Sequence, residues 1–294
     1  MYHNKKIGVV ILNYNDSDTT LCLCNIIKAY SVIDIIVVVD NLSTNNSYKI
    51  LKKIEDNKVK VIQTDKNGGY SYGNNFGAFY LIKKYNIDIL AIANPDVEFT
   101  EIFLKTLIDN LINENAACAC GMMEGLDGVV SDVNGNITSE NDYLKALLSC
   151  TITGPRILKY LQRNKKKCFR DIVEIDTIIG PLFIIDAKVF VKIQGFDTGV
   201  FLYYEESILG AKLKKFGYKT IINTNIKFLH KESVTINKNV NYIRKRKIMF
   251  DSMKYYFKNY TNINTLQYFI LKLFIEYGYF ARKILFKIFR LIKA

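Results

Sequence analysis

Three stretches of the sequence carry residue types that could do chemistry. The first is Asn94-Pro95-Asp96, directly after the apolar run Ile89–Ala93. Such a run reads as a strand buried on both faces. Pro95 has no N–H and biases Asn94 towards extended backbone, so the strand ends there and Asp96 stands at its carboxyl end. Open parallel α/β sheets bind ligands at that edge. A carboxylate there can anchor a divalent cation, and the cation can hold a diphosphate. All three residues also favour turns, so the triplet alone is compatible with nothing more than one. The second stretch is Glu205-Glu206, adjacent carboxylates at the predicted start of a helix. The helix dipole favours their ionised form. One could serve as a general base facing the Asp96 edge; simple charge placement at a helix start is the bland alternative. Adjacent helical residues point about 100° apart, so only one should face the site. The third is His230, one of only two histidines, after a β-type run. A lone histidine is more often structural, yet a neutral imidazole would suit as a second metal ligand beside Asp96.

The elements that must position these residues alternate. Ile7–Leu12, Ile33–Val39, Val59–Gln63 and Ile89–Ala93 read as strands, with helices over about 18–30, 47–57, 72–85 and 100–114. This alternation predicts an α/β fold with a mostly parallel central sheet flanked by helices. Asn13, Asp40 and Asp96 then share the carboxyl edge, where a nucleotide would lie. Asn67-Gly68-Gly69 follows the third strand but lacks the ending of a P-loop and the dinucleotide fingerprint. Gly73, Asn74, Asn75 and Gly77 fall in the first turns of the next helix, which can then approach a ligand or the sheet closely. Further on, Ala116–Met122 reads as a strand, and Val173–Ile185 as one or two strands broken at Gly180-Pro181. Asp186–Ile193 and Glu205–Phe216 read as helices, and Lys219–Asn223 and Ile226–Leu229 as two short strands. Residues 124–170 are the least readable. Their basic run Lys165-Lys166-Lys167 reads as a solvated face.

Composition narrows the class. The chain has 294 residues, 49% of them hydrophobic, with three prolines and sixteen glycines, which argues against long disordered stretches. Its six cysteines have no zinc spacing and sit largely in apolar segments, as reduced buried thiols of a cytoplasmic protein would. The first apolar run is too short for a signal peptide, and no stretch is apolar for long enough to span a membrane. Charge is uneven. Residues 237–294 hold thirteen Lys/Arg against Asp251 and Glu276, so +11 of the chain's +13 lies there and +2 elsewhere. Two regions are expected: a main domain over 1–236 and a basic, aromatic-rich helical tail over 237–294. In the tail, Leu266, Phe269, Ile270, Leu273, Tyr277, Phe280, Ile284, Ile288 and Leu291 recur at helical spacing along one face. Lys272, Glu276, Lys283, Lys287 and Arg290 fall largely on the other. With the cluster Arg244–Lys247, this pattern fits an anionic membrane surface on the cytoplasmic side. A helix packed on the main domain, or one forming a homodimer, is the alternative.

Taken together, these motifs resemble family 2 of the nucleotide-sugar glycosyltransferases, with the A-type glycosyltransferase fold. The resemblance covers roughly residues 6–235. It is carried by Ile11-Leu12-Asn13-Tyr14-Asn15, Val38-Val39-Asp40-Asn41, Asn67-Gly68-Gly69-Tyr70 with Gly73-Asn74-Asn75, Asn94-Pro95-Asp96, and Gly195-Phe196-Asp197 running into Phe201–Glu206. It is closest in character to bacterial enzymes of capsule or O-antigen assembly, including rhamnosyltransferase-like members. The resemblance implies an inverting transfer from a UDP- or dTDP-sugar to a hydroxyl of a glycan or lipid-linked acceptor, assisted by Mg²⁺ or Mn²⁺. It implies that Asp40 accepts the N3–H of the base and that Asn13 and Asn15 lie beside base and ribose. Asn67, Gly69 and Asn74 would lie against the nucleotide. Asn94 and Asp96 match the metal motif, His230 the C-terminal metal ligand, and Glu206 the catalytic base, with Glu205 in support. Two positions depart from the pattern: Asn94 replaces an aspartate of the metal motif, and Glu206 replaces a shorter aspartate.

Two other readings compete. A nucleotidyltransferase would want a glycine-rich, basic loop after the first strand, where this chain has Asn13-Tyr14-Asn15-Asp16. A basic nucleic-acid-binding protein would suit the tail. The positive charge is confined to that tail, however, and the acids at the sheet edge would repel phosphate, so no nucleic-acid partner is expected.

Overall fold

The computed structural model describes residues 1–131, 142–163, 170–231 and 242–293. The Lys165–Lys167 run and the expected boundary between 236 and 237 lie outside them, as do the side chains of Arg290 and Leu291.

The described residues hold one sheet of nine strands. β1 (Ile7–Asn13), β2 (Ile35–Asp40), β3 (Val59–Gln63) and β4 (Ile89–Ala93) lie in parallel in the order β3-β2-β1-β4. Helices α1 (Ser17–Ile27), α2 (Ser47–Leu51) and α3 (Gly69–Tyr85) connect them and pack on β1, β2 and β3. With helices laid against the sheet, β1, β2 and β4 are buried almost throughout, which is why they read as nearly unbroken apolar runs. Gly77 on α3 faces Val10 and Val39, so the small residues of this helix serve contact with the sheet.

Beyond β4 come β5 (Val97–Glu98), α4 (Glu101–Asn113), β6 (Cys118–Gly125), α5 (Asp142–Cys150), α6 (Gly154–Arg163) and β7 (Ile172–Glu174). β8 (Leu182–Asp186), α7 (Ala187–Lys192), α8 (Glu205–Lys215) and β9 (Thr220–His230) follow. The sheet order continues from β4 as β8-β6-β9-β5, with β7 also on β9. β8 runs antiparallel to both β4 and β6, so the sheet is parallel in its first half and mixed in its second. The helical excursion before β7 brings the chain back in the opposite direction, which strand–helix alternation alone does not foresee. Cys118 and Cys120 are buried free thiols, and burial pushes the Cys120 thiol up to about 12.

Where the sequence predicts two short strands, β9 is one. Its register against β6 jumps from Asn223 to Lys227 between Gly121 and Met122. The Asn225 N–H donates to Asn223 Oδ1 at 2.8 Å, and the Asn223 amide donates to Asn110 on α4 at 2.7 Å. The turn-forming residues make a bulge rather than an end.

A second, smaller core is helical. Ala146 and Cys150 of α5 meet Phe250, Met253 and Phe257 of α9 (Tyr242–Tyr260) and Leu271 and Ile275 of α10 (Thr265–Lys293). Each fully buried Phe, Met or Leu side chain contributes about 1.5–3 kcal/mol. Arg282 is buried among them. Its guanidinium donates to the carbonyls of Ser149, Cys150 and Thr151 at 2.6–3.1 Å, capping the end of α5. α10 therefore packs through Leu271, Ile275, Gly278 and Arg282. The apolar stripe read from sequence is a different face: Leu266, Phe269, Leu273, Tyr277, Phe280, Ile284 and Ile288 are all exposed. Among the described residues no helix is long and apolar enough to cross a membrane.

Candidate active site

The carboxyl ends of β1 and β2 are tied together by Asp40, which is wholly buried. Asp40 Oδ1 accepts from Asn13 Nδ2 (2.8 Å) and Ser43 Oγ (2.6 Å). Oδ2 accepts from the Ser43 N–H (3.0 Å) and Gln63 Nε2 (2.9 Å). Four donors fill the lone-pair sites of one carboxylate. Asn13 is also buried and accepts from Thr20 Oγ1 at 2.9 Å. Asn15, with a left-handed φ of 56°, accepts from the Thr44 N–H at 2.8 Å and so joins the loop after β1 to the loop after β2.

At the end of β4, Pro95 stops the strand as its chemistry dictates, and the Asn94 N–H donates to the Pro181 carbonyl at 2.8 Å. Asp96 is nearly buried. β5 pairs Val97 with His230, which brings Asp96 Oδ1 to 3.3 Å from His230 Nε2. Two adjacent ligands of an octahedral ion with bonds of about 2.1 Å stand about 3 Å apart, so the pair fits a small divalent cation. His230 Nδ1 is buried without a hydrogen-bond partner. Among the described residues no group of three or more His, Cys, Asp or Glu side chains could hold a metal. The edge thus offers two protein donors, and ligand oxygens or water would complete a shell.

Between these ends lies the glycine-rich segment. Asn67 Oδ1 accepts from Asn41 Nδ2 at 3.1 Å, and the same amide donates to the Gly69 carbonyl at 3.1 Å. Gly69 has φ +87°, and a Cβ there would strike the Phe201 carbonyl, so both conformation and contact require glycine. The Tyr70 N–H donates to that same carbonyl at 2.9 Å. Asn74 Nδ2 donates to the Tyr70 carbonyl at 3.1 Å, while its Oδ1 is buried and unpartnered. The segment thus docks directly on the loop that leads to Glu205 and Glu206.

Tyr203 and Tyr204, both at φ 72°, turn that loop into α8. Glu205 is buried with Oε1 unpartnered, and Glu206 is partly exposed and lies against Gly180. Burial and then the Glu206 carboxylate push Glu205 up to about 8. Burial also raises Glu206. The expected ionisation by the helix dipole is therefore outweighed by desolvation.

Three residues escaped the sequence reading as site residues. The Tyr70 hydroxyl donates to the Gly180 carbonyl at 3.2 Å. Its acidity is suppressed first by burial, then by the negative charges of Glu206, Glu205 and Asp96. Gly180 leaves the room that Glu206 fills. Asn75 clamps the Phe196 backbone, donating to its carbonyl and accepting from its N–H, both at 2.8 Å. The available signal was the glycine-rich motif for Tyr70 and Asn75, and the strand break at Gly180-Pro181 for Gly180.

The fold and this edge define a glycosyltransferase of the A type. Solved structures with the same fold include a mannosyltransferase from Pyrobaculum calidifontis in complex with GDP-Man and Mn²⁺, with a TM-score of 0.56 at 13% identity, covering 92% of this chain and 69% of that one. They also include S. aureus TarS 1-349 in complex with UDP-GlcNAc, with a TM-score of 0.55 at 15% identity, covering 92% of this chain and 71% of that one. The chain belongs to glycosyl transferase family 2, whose profile matches residues 8–171. It is 23% identical over 200 residues to a low-salt glycan biosynthesis hexosyltransferase of Haloferax volcanii, a match that covers 68% of this chain. This chain spans 59% of that relative's length.

Proposed function

We propose that the chain transfers a hexosyl or deoxyhexosyl unit, with inversion, from a UDP- or dTDP-sugar to a hydroxyl of a glycan or lipid-linked oligosaccharide. The product would be a bacterial surface polysaccharide such as capsule or O-antigen. What supports this reading most is that Asp96 stands 3.3 Å from His230 at the carboxyl edge, while the loop leading to Glu205 and Glu206 is docked on the glycine-rich segment through the Tyr70 N–H. Asp96 and His230 would hold Mg²⁺ or Mn²⁺, which when bound neutralises a departing diphosphate. Asn94 in place of an aspartate leaves that site one charge weaker. The nucleoside lies along Asn13, Asn15 and Asp40. Asp40 takes the base N3–H only when Gln63 gives up its place on Oδ2. Asn67, Gly69 and Asn74 lie against the nucleotide. The acceptor oxygen bonds to the anomeric carbon as the bond from that carbon to the diphosphate oxygen breaks. Glu206, the more exposed of the pair, takes the hydroxyl proton. Glu205 supports it.

The same proposal seats the chain on the inner face of the cell membrane. The exposed stripe of α10 is bordered on one side by Lys272, Glu276, Lys283 and Lys287 at 100° per residue, three basic groups to one acid. Each lysine near an anionic leaflet adds about 1 kcal/mol. A homodimer across the stripe is the competing occupant.

The test is a thermal-shift screen of UDP-, dTDP-, GDP- and CMP-sugars with and without Mn²⁺. A ligand of the native state alone raises its stability, by about 2.7 kcal/mol at a hundredfold excess over Kd. Uridine or thymidine donors should raise the midpoint, and more so with Mn²⁺. A response to GDP- or CMP-sugars alone rules out the base assignment.

A further inference from the structure

Among the described residues, six polar anchors fix the loop 195–204, and they come from two sides. From the sheet side, Asn75 holds Phe196 through both backbone groups, Lys212 donates to the Gly195 carbonyl at 2.5 Å, and Tyr70 holds the Phe201 carbonyl. From the tail side, every anchor among the described residues lies on α9. Ser252 Oγ donates to the Leu202 carbonyl at 2.8 Å. The hydroxyls of Tyr255 (3.0 Å to Oδ2) and Tyr260 both donate to the Asp197 carboxylate. Asp197 also accepts from the Gly199 N–H at 2.7 Å. The Tyr204 ring packs on Tyr256 with centroids 5.3 Å apart. Residues 252, 255, 256 and 260 fall on one face of a helix. The neighbouring face of α9, with Phe250, Met253 and Phe257, belongs to the second core.

We propose that Asp197, Tyr255 and Tyr260 form a latch by which α9 sets the pose of Glu205 and Glu206, making both tyrosines positioning residues for transfer. The inference rests on the reading of Glu206 as the base. Its physical ground is the backbone just before the carboxylates. Tyr203 and Tyr204 are consecutive non-glycine residues in the left-handed region, a conformation that persists only where surroundings over-determine it. The sheet-side anchors stop at Phe201. The next fixed points, at Leu202 and Tyr204, are supplied by α9. Burial works to raise the Asp197 carboxyl, and the Tyr260 hydroxyl, the Gly199 N–H and the Tyr255 hydroxyl outweigh it, leaving the acid below its ordinary range. Asp197 is therefore an ionised acceptor held by neutral donors, the strong class of hydrogen bond.

The experiment compares the full chain with the Tyr255→Phe/Tyr260→Phe variant in two readouts: steady-state transfer, and amide hydrogen exchange over residues 200–206. A small misplacement of a reacting group can cost about 10²-fold. The variant should lose about 10- to 100-fold in kcat with donor KM little changed, and should exchange faster at 200–206. Faster exchange with unchanged kcat overturns the positioning role. Unchanged exchange overturns the latch itself. Should the double variant fail to fold, Asp197→Asn keeps the shape, weakens both bonds and is read the same way. If the unsubstituted chain transfers no sugar, the functional reading falls while the exchange result still decides the latch.

Discussion

At the β1–β2 end of the sheet edge, Asp40 receives four hydrogen bonds from protein donors. Elsewhere along the edge, His230 Nδ1 at the β4–β9 end, Asn74 Oδ1 in the glycine-rich segment and Glu205 Oε1 at the start of α8 are buried without partners. Both regions lie on one edge and both are built from asparagines and acids. Each unsatisfied buried polar atom costs about 1–3 kcal/mol. A chain retains that cost where a ligand later supplies the partner. On the proposed reading, the nucleoside end is satisfied by the protein's own donors until Gln63 yields its place, and the reacting end keeps its polar atoms for a ligand.

If the reacting end is where chemistry occurs, Asp96→Ala should abolish metal-dependent turnover while leaving the melting temperature nearly unchanged. Full activity of that variant in the presence of a chelator would erase the distinction between the two ends. Glu206→Gln keeps size and removes basicity, so turnover should fall by about 10² to 10⁴ with little change in donor affinity. A large loss at Glu205→Gln alone would reverse the two assignments.

The nucleoside end should respond in stability instead. Asp40→Ala orphans four donors and should destabilise the fold by roughly 3 kcal/mol, weakening nucleotide binding even without metal. Denaturant unfolding and calorimetry with UDP measure both. A smaller effect separates the ends by pH. The folded-state values of Glu205 and Glu206 lie above their unfolded ones, with Glu205 near 8. Their contribution is complete below the ordinary carboxylate range and is lost as pH rises through about 8. Melting temperature should fall across that window, and Glu205→Gln should flatten the slope. The mildest expected effect is at the exposed stripe. Phe269→Glu with Phe280→Glu should reduce flotation with anionic liposomes and leave turnover on a soluble acceptor intact. A switch from dimer to monomer instead would assign the stripe to a second copy.

Local chemistry made much of this legible. Pro95 marks the end of β4 from sequence alone, and the polar groups at the ends of β1, β2 and β4 do share one edge. What could not be read depends on distant partners. The role of Asn75 lies in a backbone 121 residues away. The buried face of α10 escaped because Gly278 and Arg282 interrupt its apolar pattern, although that same arginine is what closes the second core. The stripe that did read as apolar is the one left outside. The bulge in β9 looked like a gap because turn residues mark both.

The arginine cap on α5 also sets an order of events during synthesis. Arg282 donates to a carbonyl 132 residues earlier in the chain, so α5 waits for its cap until α10 has been made. Among the described residues, the last strand of the sheet ends at His230. At about 5–20 residues per second, the interval between those two points is on the order of several seconds. During it the nascent chain carries a complete sheet edge beside a helix whose last carbonyls and apolar face are still in water. Proteases and chaperones that recognise such surfaces meet the molecule at α5, and chains stalled on the ribosome before residue 282 should be cut there and not in the sheet.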